Sequence, residues 1–63
     1  MRNLTKEELK YIAGINFAGD LNKLYAVMER SIATAKKRNH QKILWWLEID
    51  IVTLKELIDG NNE

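Results

Sequence analysis

Residues 43–58, ILWWLEIDIVTLKELI, carry more apolar surface than a single helical neighbour can cover. Placed on a helix, Ile43, Leu44, Trp46, Leu47, Ile51, Leu54, Leu57 and Ile58 form one broad stripe, and Trp45, Ile49 and Val52 fall on the other side. A helix in a small globular protein buries one stripe and wets the rest. A second apolar strip headed by a tryptophan therefore asks for a second neighbour, either a target protein or another copy of the chain. Glu56 follows on the same side and stands at the strip's rim. The alternative is that an N-terminal helix folds back over the strip within one chain.

Chain length sharpens that choice. With 63 residues the protein is one small domain near the lower limit for independent folding. A core of this size rarely supplies more than about 3–5 kcal/mol, so natural mini-proteins add a staple. A disulfide is excluded because there is no cysteine, and His40 alone cannot build a structural zinc site. Self-association, as a homodimer, or binding to a protein partner is the remaining common staple, against a well-packed monomer as the bland alternative. No cofactor or metal is expected.

Absence of cysteine fits a reducing compartment. The opening residues MRNLTKEELK lack the apolar core of a secretory signal. The longest apolar run, residues 43–47, stops at Glu48, far short of the roughly 20 residues of a membrane span. The expectation is a cytoplasmic protein without a membrane partner.

Three helices are predicted, over residues 6–15, 21–38 and 41–59, with no proline to interrupt them. Thr5 and Glu8 have capping-box spacing, with Leu4 and Leu9 at the flanking apolar positions. The first helix carries Leu9, Ile12 and Ala13 inward and is predicted to end near Gly14–Asn16. Asp20 is a natural N-cap for the second helix, whose inward stripe is Leu21, Leu24, Tyr25, Met28, Ile32 and Ala35. Lys36, Lys37 and Arg38 suit its C-terminus, and Asn39 can take the left-handed conformation that ends it.

With so short a turn, helices two and three should lie antiparallel as a helical hairpin. Positions whose numbers sum to about 80 would then sit level, with Ala35 beside Trp45 and Trp46, Tyr25 near Leu54, and Leu21 near Ile58. The first helix would close the open end. The fold class is all-α, a three-helix domain able to pair into a dimeric bundle.

Two polar features interrupt the apolar pattern. Asp50 lies in the main stripe of the third helix, where an unpaired carboxylate is costly to bury. Its level neighbours are Arg30 and Ser31, and a hydrogen bond from the Ser31 hydroxyl is the expected partner, a polar pair that fixes register. The alternative places Asp50 at the margin, in water. The second feature is the cluster Lys36, Lys37, Arg38 and Lys42, opposed by Glu48, Asp50, Glu56, Asp59 and Glu63 toward the other end, for a net charge of only +1. The cluster could bind phosphates. No aromatic interleaves with it to stack on bases, and cations at a helix C-terminus already have a structural reason.

No nucleophile–base–orienter set can be assembled, and no Gly-Lys-Ser/Thr follows the glycines, so an enzyme is not expected. The sequence reads as a small helical protein-interaction module: a regulator, inhibitor or adaptor. Short cysteine-free helical proteins of this kind are common among bacterial and phage regulators, an analogy of size and class. A nucleic-acid-binding regulator using the basic corner is the other reading.

Overall fold

The computed structural model describes residues 2–60, which hold three packed α-helices and no strand: α1 Lys6–Phe17, α2 Leu21–Lys37 and α3 Gln41–Gly60. Glu63, counted above with the acidic end, lies outside the described residues. Each start and stop has a local chemical cause. Thr5 and Glu8 form the reciprocal capping box, with the Glu8 amide donating to Thr5 Oγ1 at 3.2 Å and the Thr5 amide donating to Glu8 Oε1 at 2.9 Å. Asp20 caps α2 by accepting from the amides of Asn22 at 3.0 Å and Lys23 at 3.2 Å.

α2 ends in a Schellman arrangement around Asn39, which takes φ +57°. The His40 amide donates to Ala35 O at 3.0 Å and the Asn39 amide to Lys36 O at 3.2 Å, so two of the last carbonyls of the helix are satisfied.

The end of α1 differs from expectation. The helix runs through Gly14 and Asn16 to Phe17, because an exposed glycine inside a helix costs only about 1 kcal/mol and need not break it. The break falls where the backbone turns left-handed, at Ala18 (φ 52°) and Gly19 (φ 84°). There the Gly19 amide donates to Ala13 O and the Asp20 amide to Phe17 O, each at 2.9 Å.

The core sits where all three helices meet. Leu9 and Ala13 of α1, Leu24 and Met28 of α2, and Leu54 and Leu57 of α3 are buried together, with Leu4, Ile12, Phe17, Leu21, Tyr25 and Ile58 among the residues packed on their edges. α1 is 12 residues long against 17 and 20 for the others, so it covers only part of their length. Toward the α2–α3 turn Ala35 is buried, but Ile43 is 47% exposed, although it belongs to the main stripe by sequence. Ile43 and Leu47 instead line an open groove with Val27, Ser31 and Ala35. Trp45 is in solvent and the Trp46 indole is turned to the N-terminal residues.

Among the described residues, no helix is long and apolar enough to cross a membrane.

Candidate interaction surface

The N-terminal residues 2–4 lie as an extended strap on α3, and this strap fixes which faces of α3 remain open. The Trp46 indole Nε1 donates to Arg2 O at 2.7 Å. Asn3 Nδ2 donates to Trp46 O and to Asp50 Oδ1, each at 3.3 Å, and the Leu4 amide donates to Asp50 Oδ1 at 3.0 Å. Arg2 adds a two-pronged ion pair to Glu8, both N–O distances 2.6 Å. That pair and the Thr5 amide hold the Glu8 carboxyl at about 2, below its ordinary value near 4.5, with the Arg2 hydrogen bond the larger cause.

The partner of Asp50 is therefore corrected. Ser31 does not reach it: the Ser31 hydroxyl donates to Val27 O at 3.0 Å, four residues back on its own helix. Nor is Asp50 at a wetted margin, since its exposure is 0%. The physical reason is donor supply. A serine in a helix finds a free carbonyl one turn back, while an extended segment before an N-cap offers unused amides to a buried carboxylate. Oδ2 of Asp50 has no hydrogen-bond partner among the described residues. The signal for this in the sequence was Asn3-Leu4 directly before the capping box, a polar-apolar pair close enough to α1 to be held against α3.

With one flank of α3 taken by the strap and core, the opposite flank is open. Trp45 is 61% exposed, Val52 58% and Ile49 37%, and Glu56 is exposed beside them. α1 does not cover them. Lys42 precedes this strip and Asp59 follows it, both exposed, and Glu48 and Lys55 run along one border. The Lys55 ammonium lies 5.9 Å over the Tyr25 ring, which tethers it to α2. Two further exposed apolar residues, Tyr11 and Ile15, stand one turn apart on the outer face of α1. Sequence reasoning passed over them, although they lie opposite Leu9 and Ala13 on the helical wheel.

The basic residues Lys36, Lys37, Arg38 and Lys42 are exposed, and no ion pair involving them occurs among the described residues. Arg38 and His40 reach the rim of the Val27–Ile43 groove, where Arg30 joins them.

Among the described residues, the fold and surface define a small all-helical protein with an uncovered apolar strip on α3 and a smaller exposed apolar pair on α1. Compared with protein-family models, curated proteins and solved structures, the chain matches none.

Proposed function

We propose that the protein is a non-enzymatic helical interaction module that acts as a regulator, inhibitor or adaptor by burying Trp45, Ile49 and Val52, with Glu56 at the rim, against a protein partner or a second copy of itself. One observation carries this reading: an indole and two branched aliphatic side chains aligned on one helix face and exposed among the described residues. Aromatic anchors of this kind dominate the energy of protein interfaces. A contiguous apolar patch on a chain without disulfide or metal staples is better explained by association than by solvent exposure.

In this reading α2 and α3 form an antiparallel hairpin. The three-residue connection between them, the Tyr25–Lys55 pair and the shared lining of Ser31 with Leu47 and Ala35 with Ile43 all support it. Two such hairpins brought together by their α3 faces make a four-helix arrangement with α1 outside it. A cytoplasmic setting is part of the proposal, supported by the lack of cysteine.

The test is Trp45→Ala combined with Ile49→Ala. Helicity and cooperative unfolding should persist while association is lost. Collapse of the helical signal in that variant would put the strip in the core and end the reading.

A nucleic-acid-binding role is the second reading, favoured by the exposed cations Lys36, Lys37, Arg38 and Lys42 and by the convergence of Arg30, Arg38 and His40 on one groove. Retention on mixed DNA and RNA that falls steeply with salt would support it. No retention at about 50 mM salt rejects it.

A further inference from the structure

The exposed face of α3 is spaced as a coiled-coil seam. Lys42, Trp45, Ile49, Val52, Glu56 and Asp59 follow one another at intervals of three and four, and each is exposed. That alternation places one residue per turn along a line that a second helix can meet with interlocking side chains. The seam is polar at both ends and apolar in the middle, and its ends carry opposite charge.

We propose that this seam pairs with the same seam of a second copy, the two α3 helices running antiparallel about a two-fold axis between residues 50 and 51. The proposal rests on the interaction-surface reading above and names its occupant.

The charges choose both the partner and the direction. In a parallel pair every seam residue meets its own copy, so Lys42 faces Lys42, Glu56 faces Glu56 and Asp59 faces Asp59. Each of those contacts is repulsive at close range. In the antiparallel pair, positions whose numbers sum to 101 are level. Lys42 then meets Asp59 of the second copy, Ile49 meets Val52, and the indole of Trp45 lies over Glu56, whose carboxylate can accept its N–H. The symmetry axis repeats each contact, so two lysine–aspartate pairs close the two ends.

The border follows the same rule. Glu48 and Lys55 occupy the same flanking position in successive heptads, about two turns apart, and antiparallel helices bring these flanks together. Glu48 of one copy therefore approaches Lys55 of the other, again twice, with opposite sign. On the second border Trp46 and Thr53 carry no charge, and Trp46 is already held by Arg2 O. None of these four border residues opposes the antiparallel direction. An isologous contact of this kind closes at two copies and leaves no open surface for a filament.

The seam holds one indole and two aliphatic side chains per copy. That is small beside interfaces of standard size, so the dimer should be dilution-sensitive. Mass is read by sedimentation equilibrium from about 1 μM to about 1 mM, the range of weak association. The full chain is compared with Lys42→Glu, with Asp59→Lys, and with an equimolar mixture of those two variants, helicity being checked for each. All substituted positions are exposed, so the helical signal should be unchanged.

Each single variant turns both end pairs from attraction to repulsion and should weaken self-association by about tenfold. Their mixture restores both pairs. The substituted end of one chain meets the substituted end of the other, acid against base, and the two native ends meet each other. Recovery of the wild-type mass on mixing is the expected result. A wild-type chain that stays monomeric throughout overturns the proposal, as does a dimer whose variants fail to recover on mixing. Neither result touches whether the strip lies outside the core, which the helicity of the Trp45, Ile49 double variant reads separately.

Discussion

The backbone amide of Leu4 donates to the carboxylate of Asp50 at 3.0 Å, joining a half-buried residue to a fully buried one 46 positions away in sequence. This bond links the entry of α1 to the middle of α3. It makes the N-terminal strap part of the fold and gives a charged residue in an apolar stripe a structural task.

Removing the acceptor should be costly. Asp50→Ala strands the Leu4 amide and leaves Asn3 Nδ2 without its carboxylate contact, so a loss of about 2–3 kcal/mol is expected by urea unfolding. Asp50→Asn keeps an oxygen for the Leu4 amide and removes a buried charge whose Oδ2 lacks a partner among the described residues. The new amide group lands where Oδ2 has no partner among those residues, so its cost should be about 1 kcal/mol, still below that of Asp50→Ala. Equal losses in the two variants would show that the charge, and not the acceptor, holds the strap.

The two adjacent tryptophans should behave oppositely. Trp46→Phe removes the indole donor to Arg2 O, at 2.7 Å, and should cost about 1 kcal/mol while raising amide exchange at Leu4. It also leaves Trp45 as the sole tryptophan, 61% exposed, which acrylamide should quench efficiently in dilute samples. Trp45→Phe should leave unfolding nearly unchanged and a fluorophore that is harder to quench. Equal quenching of both would contradict the placement of Trp46 under the strap.

Acid should loosen the strap by a separate route. Glu8 is held at about 2, first by the Arg2 guanidinium and then by the Thr5 amide. A folded-state value below the ordinary one means that the folded chain binds fewer protons than the unfolded chain. Its contribution is therefore complete above about pH 4.5 and disappears as the pH falls from there toward about 2. The Arg2 side chain is 71% exposed and the Glu8 side chain 34%, so salt should screen the effect. In Arg2→Ala, the Glu8 carboxyl titration followed by NMR should move up toward its ordinary range. The decline of stability across the same pH window should become shallower. An unmoved Glu8 titration would assign the shift to the capping box alone.

The helices were legible because their caps are local. Thr5 with Glu8, Asp20, and Asn39 each act within three or four residues, and the structure uses all of them. The exposed strip was legible for the same reason, since Trp45, Ile49 and Val52 share a helix face by spacing alone. Partners across the fold were not. Register arithmetic from the sequence offers Ser31 to Asp50, but it says nothing about which way a side chain turns or which donor is already satisfied. The Asn3–Leu4 strap has no periodicity to read, and its role depends on a carboxylate 46 residues away. Ile43 shows the same limit from the other side. Its place in the stripe is correct by spacing, but burial needed a third helix there, and α1 enters only at the level of Asp50.

The turn between α1 and α2 offers the most direct gain in stability. Ala18 adopts φ 52° and ψ 33°, a left-handed conformation in which a Cβ costs about 1–2 kcal/mol. Glycine there removes that strain but adds freedom to the unfolded chain, worth about 0.4–1 kcal/mol in the opposite direction. Strain is the larger of the two, so Ala18→Gly should raise stability by about 0.5–1 kcal/mol. Gly19 gives the converse. Its φ is +84°, and a Cβ added there would meet nothing within 4 Å, so any cost of Gly19→Ala comes from the backbone alone. That variant should lose about 1 kcal/mol. Asn39, also left-handed at φ 57°, tolerates the conformation better than alanine, so Asn39→Gly should change stability less than Ala18→Gly. Urea unfolding of the three variants tests the ordering. A destabilised Ala18→Gly would mean that Ala18 is not left-handed in solution, and the α1–α2 turn would need another conformation.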